Sequence, residues 1–386
     1  MRRSTRFLLN AVLAITSAGL TIVALNFVFS AFALHLINQH TFPRALITYL
    51  GDHYHTFYPA VNDRTFRNWN AVLGDSHATG IGDAFLQNKP AYGWMHFLRI
   101  RNKENYYIFG RSGFGSINAA REFIITTDEI RNRIFYPRYG PPRKLLFLFY
   151  EGNDLNNNLD HISRRGSASQ SIHDFVEAEI GKPVEAGRRN RVSYPLLLLL
   201  RDIYRDGHKL LSDLQQHTAQ PEPNSAKNHV IIGGKTEDFP HLPQSAAAEL
   251  SEAQIDSAME VVFEAIRYLK HRLPTTTIEI VYLPSIATVY EWEDPIYFET
   301  YHTDKLLSTS WRSNLARSKD LRGRLAEFSS REGLGFIDTS DELIASGRLL
   351  LLHGPLDSRH LNETGQQIVG ETIHRKELAL ANGAAR

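Results

Sequence analysis

Short apolar runs recur along the chain, each closed by a polar or glycine-bearing turn. Asn70 to Leu73 ends in Gly74-Asp75-Ser76, and Asn105 to Phe109 ends in Gly110-Arg111-Ser112-Gly113-Phe114-Gly115-Ser116. Lys144 to Tyr150 is almost unbroken and ends in Glu151-Gly152-Asn153-Asp154. Thr277 to Leu283 is closed by Pro284-Ser285, and Leu334 to Asp338 completes the set. Runs of this length bounded by turn signals read as buried strands, and an unbroken one suits the centre of a parallel sheet covered on both faces. Helical stretches fall between them, at about 79–87, from 116 onward, at about 244–272, and over 313–332, 341–346 and 362–377. The stretch at 244–272 sets Met259, Val262, Phe263, Ile266 and Leu269 on one side, the stripe of a crossover helix. Five strands alternating with helices predict an α/β fold, a three-layer α/β/α sandwich around a doubly wound five-stranded parallel sheet with right-handed crossovers. No internal repeat interrupts it.

The alternation breaks between about 160 and 241, which reads as an insertion between the third strand and its crossover helix. Gly166 to Ser171 and His217 to Lys227 are small or polar and read as loops. Between them, Tyr194 to Leu214 predicts an amphipathic helix that packs on the main domain or lies against a membrane or partner. Trp292 to Trp311 is an aromatic-rich loop that could line a substrate groove or cover the core. Asp154 to Asp160 superficially resembles a calcium loop, but its sixth position is Leu159 and its twelfth is Arg165, so it lacks the required glycine and glutamate. His53 and His55 have no third ligand at a convincing spacing, and no metal site is expected.

The N-terminus is a separate signal. Arg2, Arg3 and Arg6 precede an uncharged, apolar stretch from Phe7 to Leu34, longer than the roughly 20 residues that cross a bilayer core. The basic flank stays cytoplasmic on that reading, so the rest of the chain lies on the extracytoplasmic, periplasmic side behind a signal-anchor. A cleaved signal peptide ending near Ala31-Phe32-Ala33 is the competing reading, although its apolar region would be unusually long. The domain plan is therefore a flank and transmembrane helix at 1–34, a connector at 35–69, and one α/β domain at 70–386.

Composition then removes whole classes. The chain has 386 residues, 42% hydrophobic and 22% charged, as a globular domain has. A net charge of +1 and no basic stripe with interleaved aromatics argue against nucleic acid. There is no cysteine, which excludes thiol nucleophiles, disulfides and thiolate-bound zinc.

In a parallel sheet the strand ends lie along one edge, so Ser76, Gly113 and Asn153 are expected together there. Asp357-Ser358-Arg359-His360, just ahead of the last helix, brings an acid and an imidazole to the same edge. Serine needs a base within hydrogen-bond reach to act as a nucleophile. His360 can take its proton, Asp357 can fix the imidazole's tautomer, and the N–H groups of Ser76 and Gly113 with the Asn153 amide can receive an oxyanion. These four blocks, in this order over Asn70 to Leu378, resemble the SGNH (GDSL) hydrolases. The resemblance implies an SGNH/flavodoxin-like fold, Ser76 as nucleophile, Asp357 and His360 as its partners, Gly113 and Asn153 as oxyanion donors, and a cofactor-free, metal-free mechanism through an acyl-enzyme. Two departures stand out: Phe109-Gly110-Arg111 replaces an Asn that usually precedes the glycine, and Glu151 stands where Gly is common. The role of His77, directly after the serine, is open. With its insertion and anchor, the chain looks like bacterial envelope members of the family, several of which act on O-acetyl groups of polysaccharides. An ester hydrolase acting on carbohydrate, an acyltransferase using the same acyl-enzyme, and a non-catalytic anchored binding module are the readings carried forward.

Overall fold

The computed structural model describes residues 10–25, 28, 68–87, 89, 92–131, 140–165, 170–189, 228–239, 242–243, 247–300 and 306–384. The chain divides into two compact units, one of residues 1–59 and 190–221, the other of residues 60–189 and 222–386.

In the first unit, residues 10–25 are helical and expose Val12, Leu13, Ile15 and Leu20. No helix among the described residues is long and apolar enough to cross a membrane. Of the span expected at 7–34, residues 7–9, 26–27 and 29–34 lie outside the described residues. So do His53, His55 and the amphipathic stretch from Tyr194 to Leu214.

The second unit is built on a sheet of β1 (Trp69–Gly74), β2 (Asn105–Gly110), β3 (Lys144–Tyr150), β4 (Thr277–Leu283) and β5 (Gly335–Asp338). Its order is β5-β4-β3-β1-β2 and every pairing is parallel. The predicted sheet is therefore present, with strand bounds within about two residues of those read from the apolar runs. β3 lies at the centre and is buried from Leu145 to Tyr150, so a continuous apolar run is what both of its faces require. The chain runs outward from β1 to β2 and then returns past β1 to β3. The crevice at this reversal, between β1 and β3, is where open α/β sheets accept ligands.

Helices cover both faces. On one, α3 (Trp94–Asn102) packs against α11 (Glu363–Ala384). On the other lie α4 (Ser116–Arg131), α6 (Ile172–Arg189), α7 (Glu252–Arg272) and α9 (Trp311–Glu332), with Phe263 of α7 stacked on Phe328 of α9 at 4.2 Å. Three elements differ from expectation. The helix expected over 79–87 is two short ones, α1 (Ser76–Thr79) and α2 (Asp83–Leu86), because Gly80 and Gly82 interrupt it. The crossover helix begins at Glu252 rather than near 244, because Ser251 and Gln254 form a reciprocal capping box there. Within the stretch read as an insertion, α6 packs between α4 and α7 through buried Phe175, Val176 and Ile180, and His229–Ile232 pairs with Glu291–Trp292.

The Trp292 to Trp311 stretch covers core rather than lining a groove at its first aromatic. Trp292 is 3% exposed and packs on Phe239 and Tyr290, with ring centroids 4.9 and 5.9 Å away. Ile296–Glu299 then pairs with Leu306–Thr309 as an antiparallel ribbon, with Phe298 buried.

At the N-terminal edge of the sheet sits a buried charged cluster. The Lys144 ammonium lies 2.7 Å from Glu377 and 3.6 Å from Glu279. Glu377 also accepts from the Asn102 amide at 2.7 Å. Burial pushes the Glu279 carboxyl up to about 7, with Lys144 opposing the rise and Glu377 adding to it.

Candidate active site

β1 ends at Gly74, and the chain turns at once into α1. Asp75 caps that helix, its Oδ1 accepting the His77 N–H at 2.9 Å. Ser76 is therefore the first residue of the helix, and its own N–H has no acceptor within the helix. The side chain is buried, with a relative exposure of 4%.

α5 (Asp154–Ser163) starts directly after β3, with Asn153 at its N-cap position. The Asn153 amide donates to Asp75 Oδ2 at 3.0 Å. One carboxylate thus holds both the Ser76 turn and the amide across the crevice, and the second Nδ2 hydrogen of Asn153 remains available. Asp75 and Asp154 are both buried and close enough to feel one another's charge. Burial raises the carboxyls of both, the Asp75 charge adds to the rise at Asp154, and the Tyr150 N–H at 2.8 Å is a donor to Asp154.

Ser76 Oγ lies 2.7 Å from His360 Nε2, and His360 Nδ1 lies 2.6 Å from Asp357 Oδ2. Asp357 is held down at about 2: burial opposes ionisation, but His360 and the N–H groups of Arg359 and His360 outweigh it. An ionised carboxylate against Nδ1 fixes a proton on that nitrogen and leaves Nε2 to accept from the serine hydroxyl. Residues 76, 357 and 360, named from the sequence, are brought together, with His360 between Ser76 and Asp357.

Gly113 lies in the turn after β2, and β2 is in register with β1 so that Gly110 pairs with Gly74. Its φ of +76° is in the left-handed region, which glycine enters without a Cβ penalty. The turn is docked on α5: Asn157 donates to the Phe114 carbonyl at 3.3 Å, and Asn158 accepts from the Ser116 N–H at 2.9 Å. Within the run that in the sequence looked like a failed calcium loop, Asn157 and Asn158 thus fasten the glycine turn, while Asn156 donates to Glu249 at 3.1 Å. Among the described residues no group of His, Cys, Asp and Glu is arranged to hold a metal ion.

Glu151 is buried and fully engaged. Oε2 accepts from the Tyr282 hydroxyl at 2.9 Å and the Ser285 N–H at 3.0 Å, and Oε1 from the Thr288 hydroxyl at 2.9 Å. Burial raises its carboxyl, and these donors oppose the rise. The side chain ties the Glu151–Asn153 turn to the end of β4 and to α8 (Ile286–Val289).

His77 is buried against Tyr150 and His360, with ring centroids 3.7 and 4.7 Å away. Its imidazole is pushed well down by burial and then by His360 and His353, so it stays neutral. His353 is buried too, bonded to the Tyr290 hydroxyl at 2.9 Å and lowered to about 3 by burial. Both rings are therefore neutral near the relay. Nothing in the sequence pattern singles out His353.

No protein-family model matches the chain, and no curated protein matches it. Among solved structures it is similar to a protein of the G-D-S-L lipolytic family from Desulfitobacterium hafniense, with 10% identity, 80% of this chain and 99% of that chain covered, and a TM-score of 0.33. It is similar also to phospholipase A1 from Streptomyces albidoflavus, with 13% identity, coverage of 80% and 99%, and a TM-score of 0.35. A third is an acetyl xylan esterase from Butyrivibrio proteoclasticus, with 9% identity, coverage of 83% and 66%, and a TM-score of 0.32. Likeness at these scores carries no chemistry, which this chain's own side chains have to supply.

Proposed function

We propose that this chain is a serine esterase of the SGNH/GDSL type. The observation that carries the reading is the continuous relay from Ser76 Oγ through His360 to Asp357, at 2.7 and 2.6 Å. Ser76 Oγ attacks the ester carbonyl while its proton passes to His360 Nε2. The tetrahedral oxyanion is received by the N–H groups of Ser76 and Gly113 and by the free Nδ2 hydrogen of Asn153. Collapse expels the alcohol, which takes the proton from His360 and leaves an acyl-Ser76. Water, deprotonated in turn by His360, then releases the acid and restores the hydroxyl. Asp357 stabilises the imidazolium in both halves.

The acyl group we propose is acetyl, carried on a cell-envelope or exported carbohydrate, with the N-terminal segment serving as a membrane anchor and the α/β unit on the extracytoplasmic side. The support for this finer part is the basic flank ahead of an uncharged stretch from Phe7 to Leu34, together with the resemblance drawn from the four sequence blocks. A sugar hydroxyl in place of water, giving its proton to His360, would take the acyl group from Ser76 Oγ and restore the serine in the same way.

The test is hydrolysis of p-nitrophenyl acetate by the full chain in detergent, wild type beside Ser76→Ala, followed by acetylated sugars with and without polysaccharide acceptors. Turnover that disappears in a folded Ser76→Ala protein supports the esterase. Full activity in that variant removes Ser76 as nucleophile. Acetyl transfer that outruns hydrolysis reassigns the enzyme as a transferase.

A further inference from the structure

The loop that carries Asp357 and His360 is held from outside itself. The loop is closed at its base by the His353–Leu361 bridge, with His353 buried, while Leu356 further along is 52% exposed and gives the turn ahead of Asp357 little packing. Within the loop, the Gly354 N–H donates to the Asp357 carbonyl at 3.1 Å and the Arg359 N–H to Asp357 Oδ1 at 3.0 Å. The decisive contacts come from the far end of the sequence. Asp83 Oδ1 accepts the N–H of Leu356 at 3.1 Å and the N–H of Asp357 at 2.8 Å. Asp83 itself is 6% exposed.

The residue before it enforces the approach. A Cβ on Gly82 would stand 2.3 Å from the Leu361 carbonyl oxygen and 3.7 Å from His360 Cβ, and its φ is +154°. Only glycine lets the turn between α1 and α2 lie flat against the His360–Leu361 backbone. Gln366 of α11 completes the join, donating to the Ile81 carbonyl at 3.3 Å and the Leu361 carbonyl at 3.4 Å. An acidic residue in a helix's first turn ordinarily serves the helix dipole. Here the helix is four residues long and the carboxylate oxygen accepts from another segment.

We infer that Asp83 is a positioning residue for the triad, acting as the acceptor that fixes the Asp357 backbone so that Asp357 and His360 meet Ser76. The inference rests on the serine-esterase reading of the site. What Asp83 supplies is an oxygen at one place rather than a charge, so Asn should replace it, whereas Ala removes the oxygen and Glu displaces it by a methylene.

The test uses the full chain and p-nitrophenyl acetate, with the far-downfield proton resonance of the His360–Asp357 hydrogen bond as a readout that needs no substrate. Asp83→Ala is expected to lower kcat on the order of 10²-fold, the scale of a displacement of about 1 Å, with KM little changed and the resonance lost. Asp83→Asn is expected to restore most of kcat and the resonance. Should Asp83→Ala fail to fold, Asp83→Glu decides in its place, with the same expected losses. Wild-type kcat and an intact resonance in Asp83→Ala, or in Asp83→Glu where Ala does not fold, would overturn the inference. So would an Asp83→Asn protein as impaired as Asp83→Ala. Failure of the esterase reading shows separately, as a Ser76→Ala protein that still turns over.

Discussion

Glu279 sits in β4 with isoleucines on either side and its carboxyl in the buried cluster with Lys144 and Glu377. Replacing it by Gln removes the titration and keeps the shape. In the folded chain the carboxyl holds its proton up to about 7, against an ordinary 4.5. At about 1.36 kcal/mol per pH unit, that difference is worth roughly 3 kcal/mol. The sign follows from the direction. A carboxyl raised on folding contributes stability that is fully present below pH 4.5 and is lost as pH rises through about 7, because the unfolded chain gives up the proton first. Glu279→Gln cannot lose that contribution. Urea unfolding of both proteins across this range should show the variant gaining on wild type by roughly 3 kcal/mol from the acid end to the alkaline end, whatever its offset at low pH. Curves that stay parallel across the range would refute the reasoning and mean that Lys144 fully compensates two carboxylates. A variant that loses ground as pH rises would mean that Glu279 is needed as the anion.

At the other edge of the sheet, Asn153→Ala should lower kcat by about 10²–10³-fold with folding intact, the usual loss of one oxyanion donor, read as steady-state kcat beside circular dichroism. Glu151→Ala leaves the Tyr282 and Thr288 hydroxyls and the Ser285 N–H without their acceptor, and should cost about 3 kcal/mol or more in denaturant unfolding. Ser251→Ala removes an exposed capping box and should cost about 1 kcal/mol with no change in kcat.

The sheet was legible because its strands are buried on both faces. β3 and β4 needed no alternation to be found, only an apolar run ended by turn residues. The relay was legible because its members follow strand ends or precede the last helix, where chain order places them on one edge. What the pattern did not show has a common cause: its partners are far away in sequence. α6 looked like part of a polar insertion, since its buried Phe175, Val176 and Ile180 have meaning only against α4 and α7. Asn156 to Asn158 are poor helix formers, and burial in a helix is explained only by acceptors and donors on the glycine turn and beyond. The aromatic stretch from Trp292 kept a groove open as a reading until Phe239 was seen to cover the ring. Asp83 gave no signal at all, being one carboxylate after a glycine whose partners lie 273 and 274 positions further on.

That separation has a consequence for how the protein comes into being. A ribosome delivers Ser76 early, and until the segment from Asp357 to His360 follows, it is an ordinary alcohol. Neither the base nor the loop that aims it exists until the final segment has emerged and docked beside the start of the α/β unit. A nascent or clipped chain that ends before His360 would carry Ser76, Asn153 and most of the core, and would still lack the relay. Assembly of the relay is thereby tied to the docking of the segment that carries Asp357 and His360.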